Sequence, residues 1–299
     1  MKTKLFFPAL CALMVVLVAC GKKDEPQEPK EPATQVENNQ NNDDKDQKPG
    51  AITMAFSVFE TKKVQFAPGN LQYQASTNTW RFAEHQYDII GEDNSNISSS
   101  YNGWIDLFGW GTGNNPTNKS TSHSDYSVFV DWGSNPIDSY AANTWRTLSK
   151  DEWVYIFYGR TNAAVLFGLG SVNGVNGTII LPDSWTTPNG LSFTASTTIG
   201  LEDDGAGYYN SNGNNFSHNT YSSSEWQQME TAGAIFLPAS GVRDHGEVGD
   251  VDNAGYYWSS TPVNNGDAAF RVLFYNALLN PKSFHNRSLG HAVRLAQDL

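Results

Sequence analysis

No aromatic side chain occurs between residues 21 and 50 of this 299-residue chain, whereas all nine tryptophans, all thirteen tyrosines and fourteen of the sixteen phenylalanines follow residue 50. That break decides where folding can take place. The stretch GKKDEPQEPKEPATQVENNQNNDDKDQKPG offers only Ala33 and Val36 as aliphatic residues. This is too little apolar surface to offset the entropy of ordering it. A disordered tether is expected, with ends about 30 Å apart on average and about 100 Å apart at full extension. Residues 51–299 are long enough to bury roughly 70–75% of the unfolded surface. One large domain is expected there, with an N-terminal β and loop part at 51–140 and a second part at 141–299.

The two cysteines, Cys11 and Cys20, lie ahead of that domain. Lys2 and Lys4 precede an apolar run from Leu5 to Ala19, shorter than the roughly 20 residues that span a bilayer. A positive start, an apolar centre and a small residue before the break form the layout of a secretory signal. Leu17-Val18-Ala19-Cys20 resembles the lipobox of bacterial lipoproteins. The resemblance implies removal of residues 1–19 and acylation of Cys20, at its thiol and at the new amine, so that segment 20–50 begins with a lipid. Several chains on one residue anchor a protein stably where one chain would not. Lys23-Asp24-Glu25 resembles the charged signals that send some lipoproteins to the outer face of the outer membrane. The expected location is therefore the cell envelope, lipid-anchored in the outer membrane and facing either the periplasm or the cell surface. No free thiol would remain, which excludes disulfides, thiolate nucleophiles and thiolate metal sites.

The whole chain carries a formal charge of −12. Residues 51–299 hold 12 Lys and Arg against 23 Asp and Glu, a net of −11. Such a surface repels phosphate backbones, so nucleic acid is not an expected partner.

Strand signals dominate the domain. Alternation from Val58 to Tyr73, broken by Pro68-Gly69-Asn70, predicts a β-hairpin, and Trp80-Arg81-Phe82 a third strand. Between Gly91 and Asp138 the chain is rich in Asn, Ser and Gly, which predicts long loops pinned by aromatics. Ser149 and Glu152 form a capping box, followed by Trp153, Ile156 and Phe157 at helical spacing. A second helix is predicted from Ser223 or Ser224 through Trp226, Met229 and Glu230 to Gly233. Ile179-Ile180-Leu181 and Ala234-Ile235-Phe236-Leu237 read as strands, as does Phe270–Leu295 around a turn at Asn280-Pro281. The expected class is α+β, with two main helices.

Four blocks then carry a family resemblance. Trp145-Arg146-Thr147-Leu148-Ser149 with Glu152-Trp153, Phe236-Leu237-Pro238-Ala239-Ser240-Gly241-Val242-Arg243, Gly255-Tyr256-Tyr257-Trp258-Ser259-Ser260-Thr261 and Gly290-His291-Ala292-Val293-Arg294-Leu295 occur in this order. They resemble the conserved blocks of the C-type-lectin-like domains called FISUMP or major paralogous domains. The fold implied is C-type-lectin-like mixed sheets with long aromatic-rich loops, shared with the formylglycine-generating (sulfatase-modifying) enzymes. Those enzymes act through cysteine, which the processed chain would lack. Calcium-dependent lectins place a Glu-Pro-Asn or Gln-Pro-Asp triplet and a Trp-Asn-Asp triplet around the metal. Asn115-Pro116 lacks the matching partner, and the Trp258 block reads Trp-Ser-Ser.

Candidate sites follow from side-chain chemistry. Asp244, Glu247, Asp250 and Asp252 crowd one loop and could offer calcium the oxygen ligands it requires, though without the EF-hand pattern. Glu202-Asp203-Asp204 is a second acidic turn. The six histidines lack zinc-site spacing, no nucleophile elbow occurs, and His291 reads as structural. Trp145, Trp153, Trp226 and Trp258 are expected in the core. Trp104, Trp110 and Trp132 lie in polar loops and are expected to be exposed contact residues. Together these features predict a non-catalytic, membrane-tethered module that binds a glycan or a protein. The alternatives are a metal- or carboxylate-dependent enzyme on the same fold and a structural component of a surface assembly.

Overall fold

The computed structural model describes residues 54–196, 208–209, 215–264, 266–276 and 278–299. Cys20, the segments 1–19 and 20–50 and the Glu202-Asp203-Asp204 turn lie outside the described residues. The architecture is α+β, with strands outweighing helices.

Four small sheets and one ribbon make up the β structure. The first is antiparallel and runs Phe56–Ser57, Lys63–Phe66, Leu295–Asp298, Arg146–Thr147. A second has Leu71–Gln74 between Thr79–Phe82 and Trp104–Ile105. The third pairs Phe167–Val172 with Val175–Ile180, flanked by Thr220–Tyr221 and Ile235–Pro238. In the fourth, Ala254–Pro262, Ala268–Tyr275 and Leu278–Asn286 form an antiparallel meander, extended by Tyr208–Tyr209. Val242–Asp244 and Glu247–Gly249 form the ribbon.

The hairpin expected across Pro68-Gly69-Asn70 does not form. Lys63–Phe66 and Leu71–Gln74 belong to different sheets. The backbone between them is claimed by distant partners: Ala67 N–H donates to Leu295 O, and Leu71 N–H donates to Val293 O, each at 3.0 Å. Gly69 passes so close to the Ala83 carbonyl that a Cβ would sit 2.5 Å from its oxygen. The final reversal also lies elsewhere, with Tyr275 opposite Leu278. Asn280 falls inside the following strand, beside a register shift opposite Arg271 and Leu273. Pro281, which has no N–H to give the ladder, is tolerated at such an irregularity.

Both helices start as their sequences require. Helix α1, Lys150–Val154, carries the full Ser149/Glu152 capping box and continues into a π turn at Tyr155–Gly159. Trp153, Ile156 and Phe157 are completely buried on its inner face. They pack with Phe56, Phe66, Phe167 and Phe274 from the first, third and fourth sheets. Helix α2, Ser223–Thr231, has a capping box between Ser222 and Glu225, one residue earlier than the sequence suggests. It ends at Gly233, whose φ of +96° is open to glycine at little cost. Its Trp226 and Met229 bury against Ile179, Leu181 and Phe236. A third cluster gathers Trp80, Phe108, Trp110, Trp132, Trp145 and Trp258 under the loops between residues 91 and 145.

Candidate functional site

The loops that cover this tryptophan cluster leave a cleft of about 420 Å³ at the end of the three-stranded sheet, a size in the range of small-molecule sites. Its floor is Tyr73 and Trp80, cross-strand partners in register whose ring centroids are 4.5 Å apart. Both residues are more than nine-tenths buried, so the floor exposes only a small part of each. The rim comes from two places. Asn78 stands at the turn between the paired strands, in the left-handed region at φ +49°. Asn114, Asn115 and Asn135 come from the long loop region.

Hydrogen bonds hold part of this rim in place. The Tyr73 hydroxyl donates to Asn78 Oδ1 at 3.0 Å. Asn135 Nδ2 donates to Gly113 O at 2.8 Å and Trp132 O at 3.1 Å. Burial raises the Tyr73 hydroxyl above its ordinary value of 10.0, so it stays a neutral donor. Asp, Glu, Lys, Arg and His are absent from the described residues of the lining. The arrangement can bind through hydrogen bonds and a small apolar floor.

Of the tryptophans expected to be exposed, only Trp104 is partly so. The Arg81 guanidinium lies over its ring, 3.8 Å from the centroid. Trp110 and Trp132 correct the expectation: they are 2% and 0% exposed and belong to the core. Trp110 Nε1 donates to Ser259 O at 2.9 Å, and Arg287 covers its ring. Trp132 is boxed in by Phe108 and Phe129. Trp145, Trp153, Trp226 and Trp258 are buried as expected.

The acidic loop places its carboxylates on separate tasks. Asp244 and Glu247 face each other across the ribbon and are exposed, with His245 Nδ1 2.6 Å from Asp244. Asp250 Oδ2 accepts from the Tyr256 hydroxyl at 2.6 Å, and Asp252 Oδ1 accepts from the Asn176 N–H at 2.7 Å. Asp250 and Asp252 occupy the left-handed region, where they turn the chain. Among the described residues no three His, Cys, Asp or Glu side chains are disposed to hold a metal ion, so calcium finds no convergent ligand set at these four.

The four sequence blocks meet as a buried framework beside the cleft. Trp258 Nε1 donates to Phe108 O at 2.7 Å. Arg294 NH1 donates to Ala67 O at 3.0 Å and its NH2 to Phe236 O, joining the second and fourth blocks to the N-terminal part. Arg243 NH1 donates to His245 O at 2.7 Å, and its backbone pairs with Gly290 in both directions. His291 is fully buried. Its Nδ1 lies 3.0 Å from Gly290 O and therefore carries the proton, which leaves Nε2 to accept from Arg271 NH1 at 2.9 Å. Burial, then the charges of Arg271 and His285, hold this imidazole well below 6.5 and neutral. These arginines and this histidine are structural cross-links.

Two polar devices escaped the sequence reading. The Gln86 amide satisfies the backbone of a strand in the third sheet. Asn94 Oδ1 accepts from the N–H groups of Asp106 and Leu107, while its Nδ2 donates to Asp106 Oδ1 at 2.8 Å. Neither has a local signature, because each pairs with a segment chosen by the tertiary fold. No family model, no curated protein and no solved structure matches this chain.

Proposed function

We propose that this protein is a lipoprotein anchored through Cys20 in the outer membrane of the cell envelope. It carries a C-type-lectin-like domain of the FISUMP kind, and that domain binds a glycan or protein ligand without catalysis. The observation that carries the binding role is the cleft over Tyr73 and Trp80, rimmed by amides and with no charged side chain among the described residues of its lining. Support for the domain type comes from the way the four sequence blocks interlock through their backbones: Arg243 pairs with Gly290, Trp258 N–H donates to Ala292 O, Ser260 N–H donates to Leu148 O, and Leu295 pairs with Thr147. Support for the anchor comes from the Leu17–Cys20 sequence and the aromatic-free stretch behind it.

Two measurements test this. Mass spectrometry of the membrane-isolated protein is expected to find an acylated Cys20 as the first residue, and Cys20→Ser to release the chain into the soluble fraction. An unmodified, uncleaved start overturns the anchor. Arrays of glycans and envelope proteins probed with the protein are expected to give a ligand whose capture Asn115→Trp abolishes; turnover of that ligand would overturn the non-catalytic role.

A further inference from the structure

We infer that the cleft over Tyr73 and Trp80 takes a neutral saccharide and holds it without a metal ion. The inference rests on reading the domain as a binding module, and it deepens that reading by naming the ligand class. With no charged side chain among the described residues of the lining, a phosphate, carboxylate or amine would give up its hydration without a counter-charge in return. Calcium, which calls for carboxylate and carbonyl oxygens, finds no carboxylate among those residues.

What the cleft offers is a set of uncharged groups that both donate and accept. The amides of Asn114 and Asn115 and the hydroxyls of Ser99 and Thr117 line it, and none of these side chains bonds to another described residue. The tertiary contacts leave three more groups unspent: Asn78 Nδ2, Asn135 Oδ1 and the Trp80 indole N–H. A sugar hydroxyl is likewise both donor and acceptor, and the aromatic floor offers the C–H groups of a pyranose van der Waals contact. The volume admits a mono- or disaccharide end. Contacts of this shallow, hydrated kind are weak one at a time. Many tethered copies meeting a repetitive polysaccharide would add up through effective concentration.

The test uses the membrane-isolated protein on an array of neutral oligosaccharides (glucans, mannans, galactans and xylans) and of uronate and sulfated glycans, with and without EDTA. Hits are then titrated calorimetrically against wild type, the double variant Asn114→Ala/Asn115→Ala and Ser99→Trp. The expected result is binding of a neutral glycan that EDTA leaves unchanged and that each variant weakens at least tenfold, at an unaltered melting temperature. Neutral binding untouched by both variants, or abolished by EDTA, overturns the inference. An acidic glycan or a protein captured instead, and lost in the same variants, overturns it while leaving the binding-module reading intact. Capture of nothing overturns both.

Discussion

The side-chain amide of Gln86 pairs with the backbone beside Phe236, 150 residues further along the chain. Gln86 Oε1 accepts from Phe236 N–H at 2.7 Å, and Nε2 donates to Ala234 O at 3.2 Å and Glu230 Oε1 at 2.9 Å. One planar amide thus stands where a neighbouring peptide would, closing the edge of Ile235–Pro238. The residue is 1% exposed, so water cannot take over if it is lost. Gln86→Leu is expected to cost about 3 kcal/mol, since a buried donor and a buried acceptor are orphaned at roughly 1–3 kcal/mol each. Urea unfolding of the two proteins measures it.

Acid should weaken the junction between the first sheet and α1. Burial alone would raise the Glu152 carboxyl, but hydrogen bonds from Arg146, the Ser149 N–H and Lys62 outweigh it and hold the group at about 2, below its ordinary 4.5. A depressed carboxyl stabilises the fold above its unfolded value and loses that contribution as pH falls through the folded one. Glu152→Gln is therefore expected to cost about 3 kcal/mol near neutrality. The gap to wild type should close between pH 4.5 and about 2. Denaturation curves across that range check both the size and the sign.

Asp106 should produce the opposite slope in the next window. Burial pushes its carboxyl up to about 6, although hydrogen bonds from Asn94 and the Ile90 N–H pull the other way. A raised carboxyl favours the fold fully below its ordinary 3.8, and this contribution disappears as pH climbs through about 6. Asp106→Asn is expected to flatten wild-type stability loss between those two values. A carbon-detected titration of the Asp106 carboxyl should place its midpoint near 6.

The two kinds of tryptophan can be separated by experiment. Trp132→Ala, which empties a fully buried site, is expected to cost about 3–5 kcal/mol. Trp104→Ala removes a half-exposed ring and its Arg81 contact, and should cost about 1 kcal/mol or less. Thermal unfolding of both variants tests the correction drawn from burial; equal losses would contradict it.

Local signals were legible in the sequence, and long-range choices were not. The capping box at Ser149 and the stop at Gly233 could be read because cap and partner lie within three residues of one another, whereas the second helix is capped by Ser222, one residue ahead of the Ser223 or Ser224 that the sequence suggests. Pro68-Gly69-Asn70 misled because its neighbours pair with Val293 and Leu295. Trp110 looked exposed because polar residues surround it in sequence, while its partner is the Ser259 carbonyl, 149 residues away. The cleft was half visible: Asn115-Pro116 registered as an incomplete calcium triplet, whereas Tyr73 and Trp80 registered as ordinary strand residues.

Ala296 pairs with Phe66 across a separation of 230 residues. While the polypeptide is still emerging from a ribosome or a translocation channel, Lys63–Phe66 therefore has an open flank until that distant stretch arrives. Pairing so remote in sequence slows folding, which favours keeping the nascent chain threadable and places a demand on chaperones to shield the bare strand. A premature stop ahead of Leu295 would take away the middle strand of that sheet and leave the strands on either side without a neighbour between them.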